Sequence, residues 1–218
     1  MATALALVDL LILSGAASGA ITGGPGGPIP ASGTGGQGAS WPTALPGLAF
    51  ESSIPEPIHV DYIESVTLTG LTHTWVGDLQ IVLYDPTGKG YNLLCRPGMT
   101  SPSSLGASDD LNGTYVFKDS GQSFPLGGSG GVVTPGTYHP HFGLWVSGTH
   151  NIHNSPLTSG LFFSGTGIWT LRIYDWAAGD SGSLQSWSMD YIPVIPAPGC
   201  YLLLAITLAA PRRRRRGA

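Results

Sequence analysis

The chain has 218 residues, of which only 10% are charged, and it contains 33 glycines and 18 prolines. Five of its nine basic residues are the consecutive arginines 212–216. Residues 21–199 therefore hold four basic and twelve acidic residues, a net charge of −8. Nucleic-acid binding requires a basic surface, and this body has none. The composition excludes a nucleic-acid partner and favours an exported β-rich protein.

Residues 1–20 predict a secretory signal peptide, because an apolar stretch is followed by the small residues Ser18, Gly19 and Ala20. Asp9 interrupts the apolar stretch and no basic residue precedes it, so an apolar strand or helix of the domain is the alternative. Residues 21–58 are rich in Gly, Pro and Ser. That composition predicts a flexible linker.

Residues 59–193 predict one domain built from short strands. Apolar and polar residues alternate around Val66 and Leu68, and the same pattern recurs around Trp169 and Leu171. Period-two alternation indicates half-buried strands, and Gly- or Pro-containing turns separate them. No window has the periodicity of an amphipathic helix. The prediction is an all-β antiparallel sandwich.

Two stretches of this domain carry a specific pattern. The first is a His-Thr pair followed by Gly-Asp-Leu, and the second is Gly-x-Trp-x-Leu-x-x-x-Asp followed by Gly-x-Leu-x-x-Trp. Their most informative positions are His73, Gly77, Asp78, Leu79, Gly167, Trp169, Asp175, Gly182 and Trp187. In order and spacing the pattern resembles the P domain (P/Homo B domain) of proprotein convertases and subtilisin-like serine proteases. The resemblance implies a jelly-roll (galactose-binding-like) β-sandwich.

The residues of this pattern are expected to act mainly in the fold. Trp169 and Trp187 are expected in the core, and Gly77 and Gly182 are expected to adopt turn backbones with positive φ. Aspartates at strand ends can accept backbone N–H bonds in turns. The functional alternative is a calcium site, since carboxylate oxygens are calcium ligands. Its predicted ligands are Asp78, Asp119, Asp175 and Asp180.

Two serines lie in motifs that resemble those of nucleophiles. Ser181 lies in Gly-Asp-Ser-Gly and Ser129 lies in Gly-Gly-Ser-Gly-Gly. The first is predicted to be a hairpin turn. The second cannot be a nucleophile elbow, because Pro135 follows too closely for a helix to begin. No stretch of this sequence supplies a catalytic triad, so catalytic residues are predicted to be absent and the chain is expected not to be an enzyme.

Four histidines between positions 139 and 153 raise the alternative of a zinc site, although neither Cys nor an acidic residue lies among them. Polar loop residues are the preferred interpretation. Trp75, Trp145 and Trp176 raise a different alternative, a carbohydrate-binding jelly roll that uses an exposed indole as a stacking platform.

Residues 194–218 contain an apolar run of about a dozen residues that is followed by arginines. The apolar run is shorter than the roughly 17 residues needed to span a bilayer. The order Pro-x-Pro, short apolar helix and Arg cluster resembles the PEP-CTERM sorting signal, with Ala197 at the position of the family's Glu. The matching residues are Pro196, Pro198, Arg212, Arg213, Arg214, Arg215 and Arg216. The resemblance implies processing by an exosortase and transient inner-membrane anchoring, with the arginines on the cytoplasmic side.

The sequence therefore predicts an exported module at the cell surface or in the extracellular matrix, with a structural or binding role. Its expected partners are an exosortase-type enzyme, a membrane through the tail, and a cell-surface polysaccharide or a protease. The functional alternatives are an accessory part of a serine endopeptidase system and the carbohydrate-binding jelly roll.

Overall fold

The computed structural model describes residues 18–30, 41–57, 59–159 and 166–194, and strands dominate these ranges. Within these ranges eleven strands follow one another, with two short 3-10 turns at Val76–Asp78 and Thr149–Asn151. The strands are β1 (Gly19–Ile29), β2 (Phe50–Glu56), β3 (Val60–His73), β4 (Leu79–Tyr84), β5 (Gly90–Cys95), β6 (Asp110–Gln122), β7 (Val132–Val133), β8 (Gly136–Tyr138), β9 (Ile152–His153), β10 (Gly167–Asp175) and β11 (Gly182–Pro193).

The strands form two sheets. The first has the order β1-β11-β3-β6-β7, with β8 also paired to β6, and the second has the order β2-β10-β4-β5-β9. The long strands pair antiparallel, and the short β7, β8 and β9 pair parallel to their neighbours. The chain changes sheet between β1 and β2, β2 and β3, β3 and β4, β5 and β6, β8 and β9, and β10 and β11. The predicted all-β sandwich is confirmed.

The core lies between the two sheets and follows the predicted alternation. On β3 and β11, Val66, Leu68, Trp187 and Met189 are buried, and Val66 and Leu68 lie opposite Met189 and Trp187. Trp169 of β10 belongs to the same apolar cluster and is fully buried. The prediction that Trp169 and Trp187 are core residues is confirmed. Large aromatic side chains such as these provide much of the apolar area that a sandwich buries.

Two strands of the second sheet, β4 and β5, are buried on both faces, which alternation alone does not predict. Every residue of β4 and β5 is buried. The outer face of this sheet carries a second apolar cluster in which Trp41 packs edge-to-face on Trp176 (4.7 Å between ring centroids) and on Trp145 (5.3 Å). Residues 41–49 thus form a partial third layer. The prediction of half-buried strands is wrong for β4 and β5.

The prediction of a flexible linker at 21–58 is also wrong for the parts that the structure describes. Residues up to Ile29 belong to β1, which pairs with β11, and Phe50–Glu56 is β2, which pairs with β10. Two glycines of β1 are required by shape, because a Cβ on Gly24 would overlap the Trp187 indole and one on Gly26 would overlap the β11 backbone. A Gly-rich composition here serves close packing, not chain flexibility.

Within the described ranges, no helix is long and apolar enough to cross a membrane. The predicted apolar helix of the tail and the arginines that follow it lie outside the described residues, as does most of the predicted signal peptide. Cys95 is buried and is a free thiol, and burial raises its pKa.

We expect Gly24→Ala to destabilise the protein by about 1–3 kcal/mol, because the added methyl group cannot fit beside Trp187 without displacing β1. Urea unfolding measures the loss, and amide hydrogen exchange should show reduced protection of residues 19–29. Gly47→Ala is the matched control, since an added Cβ meets nothing within 4 Å there. It should leave stability unchanged or raise it by up to about 1 kcal/mol. Equal effects of the two substitutions would contradict the packing role of Gly24.

Candidate functional site

The polar side chains of the motifs meet at one end of the sandwich. His73 is the last residue of β3, Asp78 ends the 3-10 turn before β4, and Asp175 is the last residue of β10. Arg96, which directly follows β5, joins them. We call these four side chains the polar cluster. All four are buried, with exposed fractions between 0 and 3%.

Arg96 links three parts of the chain. Its Nε donates to the Gly77 carbonyl oxygen at 2.9 Å, and one terminal guanidinium nitrogen lies 3.4 Å from the Asp78 carboxylate. The guanidinium carbon also lies 5.3 Å from the centre of the Trp41 ring, in cation–π geometry. Its backbone has a φ of +38°, a strained value for a non-glycine residue. Backbone hydrogen bonds from Arg96 N–H to Leu79 and from Met99 N–H to Arg96 hold this turn.

His73 and Asp175 form the other half of the polar cluster. The Nε2 of His73 lies 3.4 Å from the Asp175 carboxylate, and its Nδ1 lies 2.9 Å from the Trp75 carbonyl oxygen. The other Asp175 oxygen accepts the Ala177 N–H at 3.2 Å, which confirms the predicted turn role of this aspartate. The backbone N–H of Trp176 donates to the Asp78 carbonyl oxygen, so the two halves are joined.

Burial dominates the electrostatics of the polar cluster. Burial raises the pKa of Asp78 to about 6, although the nearby Arg96 charge opposes this shift, and burial lowers the pKa of Arg96. Taking two charges out of water is costly unless they pair, and here they pair with each other. Arg96 lies outside the sequence motifs from which the site was predicted. The sequence does single it out in one respect, because it is one of only four basic residues between positions 21 and 199.

The four aspartates predicted as calcium ligands do not form one site. Asp180 accepts a hydrogen bond from the Thr74 hydroxyl at 2.8 Å, close enough to Asp78 to raise that group's pKa. Asp119 instead accepts the backbone N–H groups of Leu157 and Thr158. Asp119 follows Phe117, which pairs with Val66, whereas His73 pairs with Leu111 at the other end of β6. Asp119 is therefore far from Asp175 and cannot share an ion with it.

Across the described ranges, no group of three or more His, Cys, Asp or Glu side chains has the arrangement of a metal site. The Asp78 carboxylate faces Arg96, and the Asp175 carboxylate faces His73. Calcium binding at Asp78, Asp175 and Asp180 stays a prediction.

The motif glycines allow close approach, and the predicted positive φ at Gly77 and Gly182 is wrong. Neither residue is among those with positive φ. A Cβ on Gly77 would lie 2.6 Å from the backbone nitrogen of Ala107, and one on Gly182 would overlap the Thr72 carbonyl oxygen. Gly167 has a φ of +155° and packs against Pro86. Leu79 is fully buried in the main core.

A groove of about 480 Å³ lies beside the polar cluster, and Ser181 and Gly182 of the Gly-Asp-Ser-Gly motif line it. Its lining includes Thr72, His73, Asn112 and Ser181. The backbone N–H of Ser181 donates to the Thr74 hydroxyl at 3.2 Å, which fixes the turn into β11. Both ring nitrogens of His73 already face Trp75 and Asp175, so this histidine has no nitrogen directed at Ser181. The groove lacks the nucleophile–base contact of a catalytic triad.

Ser129 also lacks such a contact. Its hydroxyl donates to the Asp109 carboxylate at 3.3 Å, and that carboxylate also accepts the backbone N–H groups of Gly128, Ser129 and Gly131. These hydrogen bonds lower the pKa of Asp109, against the effect of burial. The Gly-rich loop at 127–131 therefore wraps around an internal carboxylate.

The histidines of the 139–153 stretch have separate partners. The ring nitrogens of His139 lie near the Pro140 carbonyl oxygen and the Ser123 hydroxyl, and His150 Nε2 lies 3.1 Å from the Pro42 carbonyl oxygen. His141 packs near Phe124, and His153 packs near Tyr91. They do not converge, so the described residues give the zinc alternative no support.

The tryptophans proposed as a stacking platform are mostly unavailable. Trp145 and Trp176 are buried in the second apolar cluster, at 4% and 0% exposure. Trp75 is half-buried, and its indole N–H donates to the Leu105 carbonyl oxygen. The prediction of a carbohydrate platform built from Trp145 or Trp176 is therefore wrong.

The sorting-signal residues Pro196, Pro198 and Arg212–Arg216 lie outside the described residues.

Comparisons with known proteins do not identify a family. No protein-family model matches the chain, and no curated protein matches it. Among solved structures, the chain is similar to a serine protease of Aeromonas sobria, with 17% identity over 82% of this chain and 27% of that one, at a TM-score of 0.37. The complex of Aeromonas sobria serine protease with its chaperone gives 13% identity over 83% and 28%, at a TM-score of 0.36. The chain thus spans about a quarter of those chains, and no conclusion rests on similarities this weak.

We expect Arg96→Met and Asp78→Asn each to cost about 3–5 kcal/mol of unfolding free energy, because each leaves a buried polar partner unsatisfied. The double variant should cost at least about 0.5 kcal/mol less than the sum, since the two groups are coupled. Urea titrations of all four proteins provide the cycle.

The exposed pair Arg172–Glu51 is the matched control for this cycle. Its Nε–carboxylate distance is shorter, 2.7 Å, but its side chains are 38% and 51% exposed. Arg172→Met and Glu51→Gln should each cost less than about 1 kcal/mol. Strictly additive costs at Arg96 and Asp78 would contradict the assigned coupling.

Proposed function

We propose that this chain is an exported, non-catalytic module of the P-domain type, held at the cell surface and serving a structural or binding role. The observation that carries the proposal is the use of the motif side chains within the fold. His73, Asp78 and Asp175 are buried; His73 lies against Asp175, and Asp78 lies against Arg96. Trp169 and Trp187 belong to the core. Residues used in this way stabilise a domain and do not meet a substrate.

The proposal that the module is non-catalytic is supported at both serine motifs. A serine hydroxyl is a weak nucleophile without an adjacent base. Ser129 donates to a carboxylate that already accepts three backbone N–H groups. At Ser181, the nearby His73 directs both nitrogens elsewhere. Neither motif supplies the contact that would activate its serine.

The proposal of surface anchoring is supported by sequence alone. The order of Pro196–Pro198, an apolar run and five arginines resembles a sorting signal, and we propose an exosortase-type membrane enzyme as its processing partner. Arginines that follow an apolar run stay on the cytoplasmic side, which leaves the sandwich outside.

We expect the full chain to hydrolyse no generic or basic-site fluorogenic peptide and to resist labelling by a fluorophosphonate probe. The reason is that neither serine has an activating base. A cooperative thermal melt of the same sample is the control, because it shows that the protein assayed was folded. Probe labelling that disappears in Ser129→Ala or Ser181→Ala would overturn the proposal and establish an enzyme.

We expect replacement of Arg212–Arg216 by serine to change the ratio of membrane-bound to released protein in the producing cells. Loss of five positive charges removes the signal that holds the tail on the cytoplasmic side. Cell fractionation gives the ratio, and mass spectrometry of the released protein locates its C-terminus. Replacing Gly217 and Ala218 by serine is the control. An unchanged ratio with an intact C-terminus would exclude the anchoring proposal.

A further inference from the structure

The outer face of the second sheet is only partly covered. Alternate residues of β10, from Tyr174 to Ile168, point to this face, as does Trp176 directly after the strand. The covering segment 41–49 packs on Trp176 and Tyr174. Beyond Tyr174 the cover ends. Arg172 is 38% exposed at its side chain, and Ile168 is 59% exposed. A strip of sheet that is polar in the middle and apolar at its end therefore faces solvent.

Two hollows of about 420 and 260 Å³ lie on this strip, and Arg172 lines both of them. The first is bounded by the 45–49 segment, Glu51 and Tyr174, and the second by Tyr84, Thr170 and Ile168. We call this double hollow the Arg172 groove. Because both halves share one side chain, a linear ligand can occupy both by crossing Arg172.

The polar groups of the Arg172 groove are held in place. The Arg172 Nε donates to Glu51 at 2.7 Å, across the β10–β2 pair in which these residues are opposite. The guanidinium carbon also lies 4.9 Å from the centre of the Tyr84 ring, and the Tyr84 and Tyr174 hydroxyls are 3.0 Å apart. A fixed guanidinium over a buried tyrosine loses little side-chain freedom when it binds a ligand.

The chemistry of this lining favours a neutral ligand that bears many hydroxyl groups. Arg172 is paired with Glu51, and the Asp85 carboxylate, which also lines the second hollow, already accepts hydrogen bonds from Thr87 and from the Lys89 backbone. The lining therefore offers no unpaired charge to attract an ion. Guanidinium N–H groups donate, carboxylate oxygens accept, and threonine and tyrosine hydroxyls do both, which matches the donor–acceptor character of sugar hydroxyls. Leu48 at one end and Ile168 at the other, 60% and 59% exposed, offer apolar contact to the C–H faces of sugar rings.

An extended peptide and an anionic polymer fit the groove less well. β10 lies between β2 and β4, so its backbone N–H and C=O groups are already paired and offer a peptide no strand to extend. The body of the chain, residues 21–199, carries a net charge of −8, which repels acidic polymers.

We propose that the Arg172 groove binds two adjacent sugar units of a neutral polysaccharide. The proposal rests on the proposed binding role of the module and names its ligand class. In this proposal the Arg172–Glu51 pair recognises the sugar, and the buried Trp145 and Trp176 do not.

The test is native gel electrophoresis of the full chain in gels that contain dextran, galactomannan or yeast mannan, with polygalacturonate as the acidic comparison. We expect at least one neutral polymer to retard the protein and polygalacturonate not to do so. Titration of the matching oligosaccharide by calorimetry then gives dissociation constants. Arg172→Gln should weaken binding about tenfold or more, as expected for loss of a charged hydrogen-bond donor.

Lys118→Gln is the matched control, because it makes the same change of charge at an exposed position of β6 in the other sheet, and it should bind like the parent. Equal melting temperatures of the variants establish that folding is unaffected. No retardation of folded protein by any neutral polymer, retardation by polygalacturonate alone, or equal affinity of Arg172→Gln would each overturn this inference. Those results leave the non-catalytic role intact, whereas serine-dependent peptide hydrolysis would overturn that role separately.

Discussion

One buried cation organises the end of the sandwich where the motifs meet. Arg96 is fully buried, and its guanidinium contacts the Gly77 carbonyl oxygen, the Asp78 carboxylate and the ring of Trp41. Those three contacts belong to the turn before β4 and to the segment that covers the second sheet. An arginine is suited to this position because its planar group can donate in several directions while stacking on an aromatic face. The third layer thus depends on the same side chain as the polar cluster.

The alternation of apolar residues predicted the two-sheet architecture well, and the failures have identifiable causes. β3 and β11 behave as half-buried strands, and their inward residues were correctly identified. β4 and β5 do not, because the cover over their outer face comes from Trp41 and its neighbours, far away in sequence. Period-two patterns describe one strand and contain no information on what a distant segment adds. The packing role of Gly24 was not predicted for a related reason. The Trp187 ring that requires a glycine there is far away in sequence, although the two residues are in contact.

The candidate site was predictable in its members but not in its chemistry. The motifs selected His73, Asp78 and Asp175, and the structure brings these three together. Carboxylates in turns suggested calcium, yet the nearest charge to Asp78 is the guanidinium of Arg96. Asp119 was grouped with them only because it is an aspartate, and register places it at the opposite end of β6. The Arg172 groove could not be predicted, because it arises where the 41–49 segment stops covering β10.

β1 and β2 each pair with a strand from the C-terminal part of the domain, and this affects the order in which the domain folds. Both strands come first among the described elements, and both pair with the last two, since β1 lies on β11 and β2 on β10. Neither can dock until the C-terminal strands exist, so the sandwich closes late and by long-range contacts. A strand that is synthesised early and still unpaired can aggregate with other chains, and Gly and Pro residues lower this risk. The Gly- and Pro-rich composition that made β1 resemble a linker therefore also protects it from pairing with other chains before β11 is available.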